Sequence, residues 1–181
     1  PVFLAFIALL AMVFFVNALF SEKPNAMNNL AFSILPVVYV SIPLAMLVFL
    51  TGPVITGNHP HWHIAFGFFI ILWSDDTFAY LTGMLFGKHK LFEKISPKKT
   101  WEGTIGGLIF GLIAAYIISL FFIELSLAEW LGAALVITVT GTLGDLSESL
   151  LKRKFSVKDS GTLLPGHGGV LDRFDSVLFA A

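Results

Sequence analysis

The sequence predicts an all-α fold, a polytopic bundle of transmembrane helices, and three observations carry that prediction. Hydrophobic residues make up 56% of the 181 residues and charged residues only 13%, where a soluble domain has about half and about a quarter. Apolar runs of spanning length recur along the chain, and all 11 Lys and Arg fall in alternate loops between them or just beyond the last of these loops. A mean hydropathy of +0.86 with 19 Phe leaves more apolar surface than one small core can hide, so lipid is the solvent for the excess. An ordinary water-soluble globule is excluded. The absence of cysteine also excludes a disulfide framework, a thiolate zinc site and a cysteine nucleophile.

Five runs approach the roughly 20 residues a bilayer requires: residues 1–20, 30–50, 63–86, 102–123 and 129–151, with a sixth beginning near Val170. The first has no basic leader and no clear small-residue cleavage site, so it reads as a span and not a signal peptide. In the second, Pro36 and Pro43 lie seven residues apart on about one face and predict a kink. The fourth repeats Gly103, Gly107 and Gly111 every four residues, a stripe that lets another helix approach closely. The chain begins without Met and stops within Val177-Leu178-Phe179-Ala180-Ala181. It is therefore expected to be a fragment, with 1–181 forming a single membrane-embedded domain.

The cations are Lys23, then Lys88, Lys90, Lys94, Lys98 and Lys99, then Lys152, Arg153, Lys154, Lys158 and Arg173. Their loops alternate, so the positive-inside rule makes all three cytoplasmic and puts Pro1 outside.

The chemistry is carried by acids in or beside the spans: Asp75 and Asp76 in the third, Asp145 and Glu148 near the end of the fifth, Asp172 and Asp175 where the sixth begins. A carboxylate at the centre of a bilayer costs about 2.5–3.5 kcal/mol on insertion scales, so several such groups predict a wet cavity or a cation. Glu148 and Asp175 fit equally well as helix-end carboxylates in interfacial water. Asp76 lies some ten residues from the cytoplasmic end, roughly 15 Å deep, where that reading is weak. Asp145 and Glu148 are three residues apart, as are Asp172 and Asp175, so each pair shares a helical face. Two such pairs on adjoining helices can hold Mg²⁺, the ion that works on phosphates with one or two carboxylates, and without Cys magnesium is favoured over zinc. Between the pairs lie Lys152-Arg153-Lys154, Lys158-Asp159 and Pro165-Gly166-His167-Gly168-Gly169, a basic run and a glycine turn that suit phosphate.

These residues carry a resemblance. Ser149-Leu150-Leu151-Lys152-Arg153, then Lys158-Asp159-Ser160-Gly161, then Leu164-Pro165-Gly166-His167-Gly168-Gly169-Val170-Leu171-Asp172-Arg173-Phe174-Asp175 resembles the signature of the phosphatidate cytidylyltransferase (CDP-diglyceride synthase) family, over 27 residues without a departure. Asp76-Thr77-Phe78-Ala79-Tyr80-Leu81-Thr82-Gly83, Ile95-Ser96-Pro97-Lys98-Lys99-Thr100-Trp101-Glu102-Gly103 and Gly144-Asp145-Leu146-Ser147-Glu148-Ser149 are similar to further segments of that family. The resemblance makes 73–181 the catalytic region. One departure is Phe78, where a small residue is expected.

The resemblance implies transfer of the cytidylyl group of CTP to phosphatidic acid, giving CDP-diacylglycerol and pyrophosphate with Mg²⁺ and room for a second cation. It implies Asp145 and Asp172 as metal ligands; Asp76, Lys152, Arg153, His167 and Arg173 as catalytic; and Lys98, Lys99, Lys158, Gly168 and Gly169 as substrate-binding. CTP, phosphatidic acid and the bilayer are the implied partners, a homodimer stays open, and nucleic acid is not among them. The expected location is a bacterial inner membrane, with the site facing the cytoplasm. Asp76 is expected to matter more than Asp75, since helix neighbours point about 100° apart and only Asp76 lies in the segment that resembles the family.

A CTP-dependent polyprenol or dolichol kinase is the nearest alternative, opposed by the unbroken signature. An ion-coupled transporter would place its acids near the midplane of paired repeats, and no repeat is visible. A CDP-alcohol phosphotransferase would need an Asp-Gly-x-x-Ala-Arg run, which the chain lacks. His59, His61 and His63 would share one side of an extended chain, but their loop is expected outside and offers no carboxylate or Cys partner, so a metal role is not expected there.

Overall fold

The computed structural model describes residues 2–21, 25–51, 62–157, 160–161, 169 and 171–181. The chain falls into two compact units, Pro1–Ala45 and Met46–Ala181.

The first unit holds α1 (Val2–Leu19) and α2 (Ala26–Pro36), which pack together. A wide π-helical turn at Val37–Ser41 follows α2 and leads into α3 (Ile42–Leu50), which runs across the unit boundary. The predicted interruption thus takes the form of a π turn. Pro43 has no N–H to close the normal four-residue bond, and the turn widens so that the N–H of Ile42 reaches the carbonyl of Val37.

The second unit carries α4 (Trp62–Phe86), a hairpin of β1 (Lys90–Phe92) and β2 (Ser96–Thr100), α5 (Trp101–Phe121), α6 (Leu127–Lys154) and α7 (Leu171–Ala180). Four helical stretches are long and apolar enough to cross a membrane: Asn28–Leu50, Trp62–Phe86, Trp101–Phe121 and Leu127–Lys154. A shorter apolar helix lies at Phe6–Leu19. The outward faces of α4, α5 and α6 keep Phe66, Trp73, Ile109, Ile113, Leu120, Leu135, Val136 and Val139 exposed. So much contiguous apolar surface requires lipid or further protein around it. An all-α membrane bundle fits these helices.

The hairpin is a correction to that expectation, because 87–101 reads as a plain loop in the sequence. Lys90 pairs with Thr100 and Phe92 with Ser96, with an irregular register between them. The N–H of Ile95 closes the turn on the carbonyl of Phe92 at 3.2 Å. Pro97 and the charged side chains around it suit a short strand with open edges, where a missing N–H costs no ladder bond. The Thr100 hydroxyl then accepts from the N–H of Gly103 at 3.1 Å and caps α5. His89 pairs with Glu102 at 2.6 Å, which fastens the start of the hairpin to the first turn of α5.

The glycine stripe acts as expected. Gly103, Gly107 and Gly111 are all buried. A Cβ on Gly103 would lie 2.7 Å from the carbonyl oxygen of Ala79, and one on Gly107 would overlap the Asp75 carboxylate. α4 and α5 therefore cross at backbone distance. Below the crossing, Phe68, Ile71, Leu72, Ala115, Ile118, Ala134 and Ile137 form the core around Trp130. Trp130 is 1% exposed and donates from its indole N–H to the carbonyl of Phe122 at 3.3 Å. α6 starts with a capping box in which Ser126 and Glu129 satisfy each other's backbone N–H. α7 crosses α6 at Gly144, where a Cβ would meet the carbonyl of Asp175 and the ring of Phe179.

Phe78, the departure from the signature, stacks on Phe110 of α5 with ring centres 3.7 Å apart and planes within 5°. The bulk added at that position is absorbed by an α4–α5 contact. His63 also departs from expectation, because it does have a carboxylate partner: its Nδ1 lies 2.6 Å from Glu124 Oε1. His59 and His61 lie outside the described residues.

Candidate active site

At the end of the second unit where α4 stops and α5 begins, a cavity of about 410 Å³ opens among α4, the hairpin, α5, α6 and α7. α4 contributes Asp75, Asp76, Ala79, Tyr80, Gly83 and Met84, and β2 contributes Lys98, Lys99 and Thr100. Gly103 and Thr104 come from α5, Thr142 and Asp145 from α6, and Asp172, Asp175 and Ser176 from α7. Acids from three helices separated by as many as a hundred residues thus converge on one space, together with the lysine pair of the hairpin.

Local structure explains how each group arrives. The capped start of α5 fixes the end of β2, so Lys98 and Lys99 sit immediately before a helix N-terminus at the cavity wall. Asp145 lies nine residues before the end of α6, about 14 Å along the axis, within the apolar part of the bundle. Its Oδ2 is 2.7 Å from the ammonium of Lys99, and its Oδ1 accepts from the Ser149 hydroxyl at 3.3 Å. Asp172 stands in the first turn of α7, where the helix dipole favours an acid. Its Oδ1 holds Lys152 at 2.8 Å, while its Oδ2 accepts from the N–H of Gly169 at 2.7 Å, the N–H of Ser160 at 2.9 Å and the Ser160 hydroxyl at 2.8 Å. Asp172 therefore gathers the two flanks of the glycine-rich segment onto α7.

Lys152 joins two carboxylates, because its ammonium is also 2.6 Å from Glu148 Oε2. Glu148 is only 1% exposed. The interfacial-water reading of that residue is thereby corrected: it is a buried acid held by a lysine one turn away. Asp175, the other residue for which interfacial water was an equal reading, lines the cavity.

Several expected site residues lie elsewhere. Arg153 is exposed and donates from Nε to the carbonyl of Ile95 at 3.4 Å, which ties the end of α6 to the hairpin turn. Arg173 is exposed on α7 and is not part of the cavity wall. Gly169 is buried and gives its N–H to Asp172. Lys158, His167 and Gly168 lie outside the described residues.

Asp75 is the residue whose position the sequence does not reveal. It is 3% exposed and lines the cavity beside Asp76, and among the described residues no hydrogen bond or ion pair engages either carboxylate. The 100° between neighbours does not separate them, since the cavity lies against a broad sector of α4. Asp75 faces the glycine stripe of α5, and Asp76 faces the more open part of the space. The signal was the stripe itself: Gly107 leaves the room that the Asp75 carboxylate occupies.

The donor set suits a hard divalent cation, being all oxygen, with acids outnumbering the two lysines on the wall and space left for water and phosphate oxygens. Among the described residues no three His, Asp or Glu side chains gather closely enough to enclose a metal on their own.

Comparison with known proteins agrees with the geometry. Residues 2–181 match the cytidylyltransferase family. Phosphatidate cytidylyltransferases of Staphylococcus haemolyticus and of Staphylococcus aureus (strain COL) are each 44% identical over 176 residues, covering 95% of this chain and 65% of the relative. That of Staphylococcus epidermidis is 41% identical over 175 residues, covering 94% and 64%. The chain spans a little under two thirds of the length of these relatives. A match running from the second residue to the last, with relatives above 40% identity, makes this chain a member of the cytidylyltransferase family.

Proposed function

We propose that this chain transfers the cytidylyl group of CTP to phosphatidic acid, releasing pyrophosphate and leaving CDP-diacylglycerol in the membrane. The observation that carries the reading is the cavity itself, where Asp76, Asp145 and Asp172 meet the Lys98 and Lys99 pair beside apolar helices. A water-soluble triphosphate and a lipid phosphate can both reach such a place, since it lies within the apolar bundle and is lined by charge. The named relatives support the same substrates.

In the reaction a phosphate oxygen of the lipid attacks the α-phosphorus of CTP in line. The new P–O bond forms as the bond to the bridging oxygen of the β-phosphate breaks, and pyrophosphate leaves with that electron pair. Such transfers depend on positioning and charge neutralisation more than on covalent help from the protein. Asp145 and Asp172 would hold Mg²⁺, which when bound offsets phosphate charge and orients the leaving group. Lys98 and Lys99 receive the triphosphate at the mouth, Lys152, Arg153 and Arg173 supply cations around the signature segment, and His167 orients a phosphate. Lys158, Gly168 and Gly169 complete the phosphate-binding set. Asp76, on the same cavity wall, would be a further acidic partner beside the cation.

The topology belongs to the same proposal: at least five spans and the start of a sixth, in a bacterial inner membrane, with the basic loops and the cavity mouth in the cytoplasm. Incubating the intact protein with labelled CTP, phosphatidic acid and Mg²⁺ should yield a labelled lipid and free pyrophosphate, and chelation should stop it. Label appearing in a monophosphorylated lipid from the γ-phosphate of CTP would replace this reading with a kinase.

A further inference from the structure

Two lysines already occupy the carboxylates that the proposed function gives to a divalent cation, and they differ in how freely they can leave. Lys152 bridges Glu148 and Asp172. Withdrawing it would strand the Glu148 charge at 1% exposure, and breaking a buried pair in that way is strongly destabilising. Lys152 is therefore a fixed tie between α6 and α7 behind Asp172. Among the described residues Lys99 forms an ion pair with Asp145 alone, at 2.7 Å, and the pair is open, the two side chains being 25% and 34% exposed; Asp75 and Asp76 lie further off but within electrostatic reach of the same ammonium. It sits on β2, one residue before the Thr100 cap of α5, so its flexible four-carbon side chain can turn away from Asp145 while the backbone stays in place. When Lys99 moves away, Asp145 remains beside the cavity, where water or a cation can reach it.

We propose that Lys99 is a movable counter-ion that couples cation binding to nucleotide binding. With the cavity free of ligand, Lys99 neutralises Asp145. On loading, Asp145 exchanges Lys99 for a divalent cation, and Lys99 turns to the triphosphate that arrives with it. Cation alone binds against competition from the ammonium, and nucleotide alone meets a wall of carboxylates. Bound together, each removes the cost the other faces, and linkage makes that help reciprocal. Lys98 lines the same cavity with the same charge, but no carboxylate is paired with it among the described residues. It serves as the internal control for a general charge effect.

The inference rests on the proposed nucleotide and cation site, and the experiment separates the two. Mn²⁺ binding to the intact protein in detergent is measured by electron paramagnetic resonance without nucleotide, and CTP binding by calorimetry at saturating Ca²⁺, which prevents turnover from complicating the titration. Lys99→Gln should tighten Mn²⁺ on the order of 10-fold while weakening CTP by a similar factor, within the usual range of coupling between sites. Lys99→Arg, which restores the competing charge, should return Mn²⁺ affinity towards wild type, and Lys98→Gln should leave it within about threefold. Equal tightening of Mn²⁺ by Lys98→Gln and Lys99→Gln, or no tightening by Lys99→Gln, overturns the counter-ion role and leaves the site intact. A wild-type protein that binds neither Mn²⁺ nor CTP overturns both.

Discussion

The two ends of the second unit each hold an acid paired with a base among apolar helices, yet they differ in what surrounds the pair. At the α4–α5 junction, Asp145 meets Lys99 at the wall of a 410 Å³ cavity shared with four other aspartates. At the opposite end, Glu124 meets His63 at 2.6 Å, and the surroundings are filled by rings: Trp62 lies 3.9 Å and Phe122 4.8 Å from the His63 ring centre. An intramembrane charge by itself therefore does not define a site. Charge together with unfilled polar space does, and the space here comes from glycines on one side and a hairpin on the other.

The largest expected effect follows directly from that contrast. Asp145→Asn keeps the shape of the side chain and removes the charge that Lys99 and a cation share. Cytidylyl transfer by the intact protein should fall by on the order of 100-fold or more, as when a charge-stabilising group is lost from a reaction centre. Thermal melting in detergent should stay near wild type, since the residue is only half-buried. If activity survived, the wall carboxylates would be structural and the two ends of the unit would be alike.

The filled end should fail in the opposite way. Trp130 is the largest fully buried side chain among the described residues, and Trp130→Ala should cost about 3–5 kcal/mol of stability through lost transfer energy and a new void. Protein that remains folded should keep its CTP affinity, as the ring is absent from the cavity wall. A specific loss of CTP binding with unchanged melting would show the two ends to be coupled, contrary to this division.

Gly107→Ala tests the space between them. The added methyl would overlap the Asp75 carboxylate on the facing helix, and overpacking of this kind costs about 1–3 kcal/mol. The double variant with Asp75→Ala should recover part of that stability, because the carboxylate is then gone while the Asp75 carbonyl at 2.9 Å and the Ala79 Cβ at 3.0 Å still crowd the methyl. No recovery would place the strain in the helix backbones.

How much of this could be read from the sequence differs between residues for physical reasons. Asp145, Asp172 and the lysine pair were legible because a charge in an apolar run has few explanations, and because the spacing of acid, basic run and glycine turn is long enough to be specific. The glycine stripe likewise announced a close crossing. What it could not announce was the partner, since small residues on one helix do not say which helix fills the gap; Asp75 went unplaced for that reason. The Glu148–Lys152–Asp172 bridge depends on the α6–α7 crossing at Gly144, a relation across 20 residues that spacing within one helix does not reveal. The hairpin was missed because its strands are only three and five residues long and rich in lysine, and no hydrophobic alternation marks so short an edge pair.

The smallest expected effect is at the ion pair of the filled end, and it bears most directly on the contrast. The side chains of His63 and Glu124 are 32% and 13% exposed, so the pair is only partly screened, and replacing its charge by a neutral acceptor should cost about 1 kcal/mol. Glu124→Gln keeps the length and one acceptor oxygen and leaves the rings of Trp62, Phe66 and Phe122 packed as before. Melting should drop by no more than a few degrees, and cytidylyl transfer should run at the wild-type rate, because nothing at this end reaches the cavity. Carried out beside Asp145→Asn, the substitution compares two neutralised carboxylates, one next to polar space and one next to aromatic rings. Loss of activity on the scale of the Asp145 variant would mean that burial of charge, and not the cavity beside it, determines where the chemistry happens.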